Sequence, residues 1–502
     1  MQINKVMMLF IIYLFILFQN SNVSAEVTRW PVPDWETADN SSKMLSPQCQ
    51  KFKEVSLNSK DVKTDGLLVI KDGLVQFEFY DSKNSINKPH ALWSVTKTIT
   101  AALLGIAERD GRINLDQKLY EYYPIIKKDT IYNNNYKKIS IKNLLYLDAG
   151  FIWNEASQDV SANPVIGMLY GTGHRDMATF AAKIKMIKKG PSYKWNYSTG
   201  IPTITMGVLK KIYGNESYEE LPWRNLFNPL GITTAIFERD SSGTFIGGAG
   251  SFATLRDLAK IGYLYLNGGQ WNGEVILTPE WIQKMLTPSP GYVSPGTVIT
   301  DISDEGVYGG SIWLNRKIKD GFGKPYPYSP EDMYLAVGLL GQLIIMLPTQ
   351  KMIIVRTGYG FGFNSKIDKF VSSAISCFHD PKYPLGKEIP PLKNPPKLGL
   401  GKIIMNVKNS VEANTLQGSI AKTVCSCHLV SGLDIPTCLE RNDFTLSKLL
   451  TKLEVKKNVA FDGKIGIQVK LARFARLFKL HYGNSALAYY DPNHAEYGCT
   501  LR

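Results

Sequence analysis

Ser94 and Lys97 stand three residues apart in Trp93-Ser94-Val95-Thr96-Lys97, at the mouth of the apolar run Thr98-Ile99-Thr100-Ala101-Ala102-Leu103-Leu104-Gly105-Ile106. The run is too apolar for a surface helix and predicts a buried one. Residues three apart on a helix share a face, so Lys97 falls beside Ser94. Burial disfavours the lysine ammonium. A neutral amine touching a serine hydroxyl is a base next to a nucleophile, the chemical core of a Ser-x-x-Lys hydrolase. The pattern alone is weak and occurs twice more. Ser85-Ile86-Asn87-Lys88 precedes Pro89 in a polar loop, with no helix to hold the pair. Ser419-Ile420-Ala421-Lys422 runs into Val424 and Cys425 and reads as a strand, where residues three apart face opposite sides.

Two further stretches could complete such a site. Trp195-Asn196-Tyr197-Ser198-Thr199-Gly200 leads into Thr203-Ile204-Thr205-Met206-Gly207-Val208-Leu209, another buried helix. A tyrosine at that loop-to-helix junction, facing a buried lysine, can shuttle protons as general base and acid. Ala336-Val337-Gly338-Leu339-Leu340-Gly341-Gln342 leads into Leu343-Ile344-Ile345-Met346-Leu347-Pro348 and reads as an apolar strand entered through glycines. Such a strand lets backbone N–H groups approach a ligand closely.

With these motifs the chain resembles the serine β-lactamase and penicillin-binding-protein superfamily, most nearly its class C-like esterases and 6-aminohexanoate-dimer hydrolases. Ile139 to Leu145 followed by Gly150 to Glu155, Leu226 to Gly231, and Gly248 to Ala259 with Leu266-Asn267-Gly268-Gly269 occur in the order that family shows. The resemblance implies an α+β fold: an antiparallel sheet flanked by helices as an α/β sandwich, with a helical subdomain and the serine between the two. It implies that Ser94 forms an acyl-enzyme, with Lys97 and Tyr197 moving the protons. The backbone N–H groups of Ser94 and Leu339 would form the oxyanion hole, and Trp153, Thr199, Ala336 and Gly338 would line the substrate site. The N-terminus of the Ser94 helix adds partial positive charge there.

Two departures from the family pattern bear on substrate. β-Lactamases carry a Lys-Thr-Gly or related triplet on the strand beside the serine. Here the cation position falls on Ala336, although the glycine survives as Gly338. Thr199 stands where the β-lactamase pattern has an asparagine. Both changes point away from penicillins and terminal D-alanine, towards uncharged esters or amides. Arg356-Thr357-Gly358 resembles the missing triplet but lies beyond Pro348 on the next strand and reads as a decoy. The competing readings are a D-alanyl peptidase or β-lactamase, and a catalytically idle penicillin-binding-like scaffold.

Other chemistries find less support. No G-x-S-x-G elbow, Walker loop or dinucleotide fingerprint occurs. The six histidines lack metal-ligand spacing, so neither metal nor cofactor is expected. His90, after Pro89, reads as a surface-loop histidine. The net charge of +14 is scattered, with clusters at Lys183 to Lys189 and at Lys456 and Lys457. There is no aromatic-interleaved basic stripe for nucleic acid. Most of these lysines read as solvated faces that aid solubility, with unspecific attraction to anionic envelope polymers as the alternative.

Lys5, the apolar Val6 to Phe18 and the small-residue site Val23-Ser24-Ala25 read as a secretory signal over residues 1–25. The apolar run is too short for a transmembrane anchor. The mature protein is therefore expected to be periplasmic or secreted. The sequon Asn196-Tyr197-Ser198 overlaps the proposed catalytic tyrosine, where a glycan would block the site, and this points to a bacterial source or at least to an unmodified sequon. Six cysteines in an exported chain suggest disulfides whose pairing sequence does not fix. The resemblance brings the two ends of the catalytic domain together, which would allow a Cys49–Cys377 bridge. Cys425, Cys427, Cys438 and Cys499 would staple a small C-terminal domain, with a metal cluster at Cys425, Cys427 and His428 as the alternative.

The expected organisation is a hydrolase domain over residues 26–378, a proline-rich linker over 379–402 and a small domain over 403–502, read mainly as strands. Leu67 to Val75 predicts a hairpin with a Lys-Asp-Gly turn. Lys464 to Leu471 and the run before Asp491-Pro492 read as strands, and Phe474, Phe478 and Tyr482 could mark a helix between them.

Overall fold

The computed structural model describes residues 28–57, 63–155, 162–293, 307–317, 324–360, 363, 366–388, 410–441, 453–471 and 486–502. The signal reading over residues 1–25, Pro390 to Pro396 of the linker, and Phe474, Phe478 and Tyr482 lie outside these residues.

The central element is an eight-stranded sheet. Its spatial order is Glu36–Thr37, Leu74–Tyr80, Lys63–Lys71, Met352–Tyr359, Gln342–Leu347, Tyr334–Gly338, Trp313–Leu314 and Val307–Tyr308. Every pairing is antiparallel except the first. Strands from both ends of residues 63–359 thus meet mid-sheet, where Val69 pairs with Ile354. Asp72 and Gly73 turn the expected hairpin with φ of 52° and 77°.

Both faces of this sheet are covered, which explains its nearly continuous apolar runs. The Leu255–Leu266 helix packs on one face, where a Cβ at Gly66 would meet Leu255 and one at Gly262 would meet Ile344. The Pro47–Leu57 and Ile367–Phe378 helices pack on the other, with Phe52 against Phe77 and Phe370. The Cys49–Cys377 disulfide joins those two helices.

Between the sheet and a cluster of helices runs the Thr96–Arg109 helix, buried from Thr96 to Ala107. Its threonines are tolerated in a buried helix because their hydroxyls are satisfied. Thr96 Oγ1 lies 2.6 Å from Ser251 Oγ, Thr98 donates to the Ser311 carbonyl, and Thr100 to the Gly247 carbonyl. The cluster of helices includes Thr130–Tyr136, Met177–Ala182 and the long Gly200–Glu219.

The C-terminal segment carries a four-stranded antiparallel sheet, Leu453–Phe461, Lys464–Leu471, Ala486–Tyr490 and Cys499–Leu501. Here the structure corrects one expectation: Ser419 to Cys425 is not a strand but the end of the Ser410–Cys425 helix. Leu416, Ile420 and Val424 recur four apart and pack into the small core of that sheet. Ser419 and Lys422 therefore do share a helix, yet they form no second site. Ser419 Oγ donates to the Leu416 carbonyl, and Lys422 is ion-paired to Glu238. Cys425 pairs with Cys499 and Cys427 with Cys438, so neither cysteine offers a thiolate for the alternative metal cluster.

Candidate active site

The strand His90–Ala91 pairs with Ser251–Ala253 and delivers the chain to Ser94 through a 3₁₀ turn, Trp93–Val95, at the head of the Thr96–Arg109 helix. Trp93 takes a left-handed φ of 49°, uncommon for a bulky residue. One turn further in, Lys97 is 2% exposed. Its Nζ lies 2.8 Å from Ser94 Oγ, 3.3 Å from Thr199 Oγ1 and 3.0 Å from the Gly248 carbonyl. These three partners are neutral.

Tyr197 lies at the predicted junction, just ahead of the Gly200–Glu219 helix. Ser198 Oγ caps that helix by accepting from the N–H groups of Gly200 and Ile201. The side chain of Asn196 anchors the preceding loop by donating to the carbonyls of Phe151 and Trp153. Lys97 Nζ sits 4.5 Å from the centroid of the Tyr197 ring. Serine, lysine and tyrosine thus converge from two helix starts that are distant in sequence.

Thr199 and Trp153 are brought together by Glu155, whose place here no local pattern in the sequence marks. The Glu155 carboxylate accepts from the Trp153 indole N–H at 2.7 Å and from the backbone N–H of Thr199. An aromatic wall is a second addition. Tyr197 stacks on Trp313 at 5.8 Å and meets Tyr308 edge-on at 5.9 Å, with Trp195 against both of the latter. Nothing local marks Tyr308 or Trp313, because two short edge strands bring them in.

The stretch expected as one strand from Ala336 is instead a hairpin. Its strands are Tyr334–Gly338 and Gln342–Leu347, with Leu339, Leu340 and Gly341 in the turn. Leu340 and Gly341 both take positive φ, so the glycine serves the turn rather than strand entry. Ala336 is buried in the first strand opposite Ile344. Gly338 lies so close to the serine segment that a Cβ would sit 2.3 Å from the Leu92 carbonyl oxygen. That approach brings the Leu339 turn next to the Ser94 turn.

Arg356 of the decoy triplet lies beneath this turn, fully buried. It donates to the Gly341 carbonyl at 2.6 Å, to Thr64 Oγ1 and to the Lys63 carbonyl. Gln342 Nε2 donates to the carbonyls of Leu339 and Gly358. The guanidinium therefore supports the turn and does not replace the cation missing at Ala336. His90 needs correction too. It lies on a strand, half-buried, with Nε2 3.0 Å from Asp65, a carboxylate that also takes a two-pronged contact from Arg441. The pairing removes His90 from consideration as a free loop base.

Comparison with known proteins agrees with this architecture. The family model described as Beta-lactamase matches residues 57–357, more than half of the chain. The 6-aminohexanoate-dimer hydrolase of Paenarthrobacter ureafaciens is 22% identical over 258 residues, covering 50% of this chain and 64% of that protein. Beta-lactamase-like protein 4 of Dictyostelium discoideum is 24% identical over 342 residues, covering 59% and 58%. The chain thus spans less than two thirds of the length of these curated relatives. Among solved structures, a Bacillus anthracis protein assigned as a 6-aminohexanoate-dimer hydrolase superposes with a TM-score of 0.53 at 18% identity, covering 71% of this chain and 91% of that one. EstCE1, a hydrolase with promiscuous acyltransferase activity, gives 0.51 at 14%, covering 66% and 98%. These likenesses carry the fold, and with the family match over residues 57–357 they place the chain in the Beta-lactamase family, within the serine β-lactamase and penicillin-binding-protein superfamily.

Proposed function

We propose that this protein is an exported serine hydrolase that cleaves uncharged esters or amides through an acyl-enzyme on Ser94. The observation that carries the reading is the 2.8 Å contact between Lys97 Nζ and Ser94 Oγ on a buried helix. Lys97 and Tyr197 take the hydroxyl proton as Ser94 Oγ bonds to the acyl carbon. The carbonyl π electrons move onto oxygen, held by the N–H groups of Ser94 and Leu339. Collapse of this intermediate breaks the bond to the leaving group, which receives the proton. Water then repeats the sequence at the acyl carbon and regenerates the Ser94 hydroxyl. Removing one such oxyanion donor typically costs about a hundredfold or more in rate.

Trp153, Thr199, Ala336 and Gly338 line the substrate side in this reading, with Glu155 orienting Trp153 and Thr199. The apolar Ala336 and the buried, internally bonded Arg356 support uncharged substrates over penicillins. Three disulfides fit an oxidising compartment and so support export. Among the described residues no helix is long and apolar enough to cross a membrane.

Intact-mass spectrometry of the protein with p-nitrophenyl esters, and separately with penicillin, tests the proposal. Transient acyl adducts from the esters, lost in Ser94→Ala, are the expected result. A long-lived penicilloyl adduct without ester turnover would make the protein a penicillin-binding one, and ester turnover undiminished in Ser94→Ala would remove the serine mechanism.

A further inference from the structure

A partly enclosed, mainly apolar cavity of about 110 Å³ lies between the catalytic fold and the C-terminal segment. On the catalytic side its wall includes Trp93, Ala249 and Leu340. Each is the chain neighbour of a site residue. Trp93 precedes Ser94, Leu340 follows Leu339, and Ala249 follows Gly248, whose carbonyl holds Lys97. The C-terminal segment contributes Thr423 and the buried Leu433 to the same lining.

Trp93 and Leu340 share an unusual backbone state, with φ of 49° and 66°. Bulky residues rarely adopt this region, and such strain clusters at active sites and ligand clamps. Here it occurs on both sides of the Ser94–Leu339 junction, at two residues that line one cavity. The charged groups in the wall are already engaged. Lys422 pairs with Glu238, while His90 and Arg441 pair with Asp65. What the cavity offers a ligand is therefore chiefly apolar surface.

We propose that this cavity is an acyl-chain subsite and that the C-terminal segment, through Leu433, sets the length of chain it takes. The proposal rests on the hydrolase reading above. An acyl carbon attacked by Ser94 would lie beside the Ser94 and Leu339 turns, and its substituent would pass Trp93 and Leu340 into the cavity. An apolar cavity of roughly 150 Å³ holds benzene, so this one suits an unbranched chain of about four to six carbons. The substrates are thus short aliphatic esters or amides, selected by a wall that carries none of the reacting groups.

Two measurements on the full chain test this. The first compares kcat/KM for p-nitrophenyl acetate, butanoate, hexanoate and decanoate in wild type, Leu433→Trp and Leu433→Ala. Wild type should prefer hexanoate, whose pentyl substituent matches the cavity. Leu433→Trp should lower the hexanoate-to-acetate ratio by about tenfold, as expected when a pocket loses room for a few methylenes. Leu433→Ala should move the optimum to a longer chain. Identical chain-length profiles in all three folded proteins would overturn the proposal.

The second measurement uses ligand-observed NMR with 1-hexanol on Ser94→Ala, with and without Leu433→Trp. Binding that disappears with Leu433→Trp is expected, and binding that is absent or indifferent to Leu433 would overturn the subsite. A protein with no esterase activity that still binds hexanol through Leu433 would remove the hydrolase reading while keeping the chain-binding cavity.

Discussion

Glu238 and Lys422 form a buried ion pair, with Nζ 2.7 Å from Oε2, that ties the C-terminal helix to the catalytic fold. The same carboxylate accepts from the Ser426 hydroxyl and, at 3.2 Å, from the Cys499 N–H. Three points of the C-terminal segment thus depend on one side chain. Removing one partner of a buried pair strands the other charge, so Lys422→Met should destabilise the protein by roughly 3–5 kcal/mol. Urea unfolding measures this, and adding Glu238→Gln should restore part of the loss. An unchanged midpoint in Lys422→Met would show that the pair contributes nothing to docking.

Lys97 sits against the Ser94 hydroxyl, so its loss should be felt in chemistry before stability. General-base contributions run to about 10²–10⁴ in rate. Lys97→Ala should slow acylation by a fluorophosphonate probe within that range, while its thermal midpoint shifts far less. Labelling as fast as in wild type would rule out the Ser-Lys pair.

Arg356 acts through the Leu339 turn, whose Gly341 carbonyl it holds. In the proposed mechanism it is a positioning residue. Arg356→Met should lower kcat by about tenfold, short of the hundredfold typical for outright loss of a donor. KM for a short ester should change little, because the proposed substrate wall is untouched. Arg356→Lys should recover part of kcat. Equal losses in both variants, matched by equal losses of stability, would reduce Arg356 to a structural role.

Asp65 should contribute to the loss of stability in acid. Burial would raise its pKa, but the His90 hydrogen bond and the charges of His90, Arg441 and Lys63 hold it below the usual carboxylate value of 3.8. A carboxylate depressed in the folded state contributes stability that is complete above its unfolded pKa and lost as pH falls through the folded one. The thermal midpoint of wild type should therefore fall below about pH 4, as this contribution fades. Asp65→Asn should be less stable at neutral pH and show a shallower acid decline. Parallel curves would assign the acid sensitivity to other groups.

Residues close along the chain declare their relation in the sequence, and residues joined only by packing do not. Ser94 and Lys97 were legible because one helical turn fixes their relation, and Tyr197 because a loop enters a buried helix there. The hairpin at Leu339 reads as one strand, since apolar residues flank the turn on both sides and Leu340 gives no turn signal. The Ser410–Cys425 helix is masked because a short window ending in Thr-Val-Cys looks extended. Its Leu416, Ile420 and Val424 spacing carried the helical period over a longer span. Glu155, Tyr308 and Trp313 acquire their places only when remote elements pack together. His90 likewise gains its meaning from Asp65 and Arg441, neither of them near it in the chain.

Cys49 and Cys377 close a covalent ring through the catalytic region. Ser94, Lys97, Tyr197, Ala336 and Leu339 all lie inside that circle. A protease cutting any one surface loop between the two cysteines would open the circle without producing two fragments. Every group assigned to the reaction would stay tethered to the rest, so a nicked molecule retains the means to hold its site together.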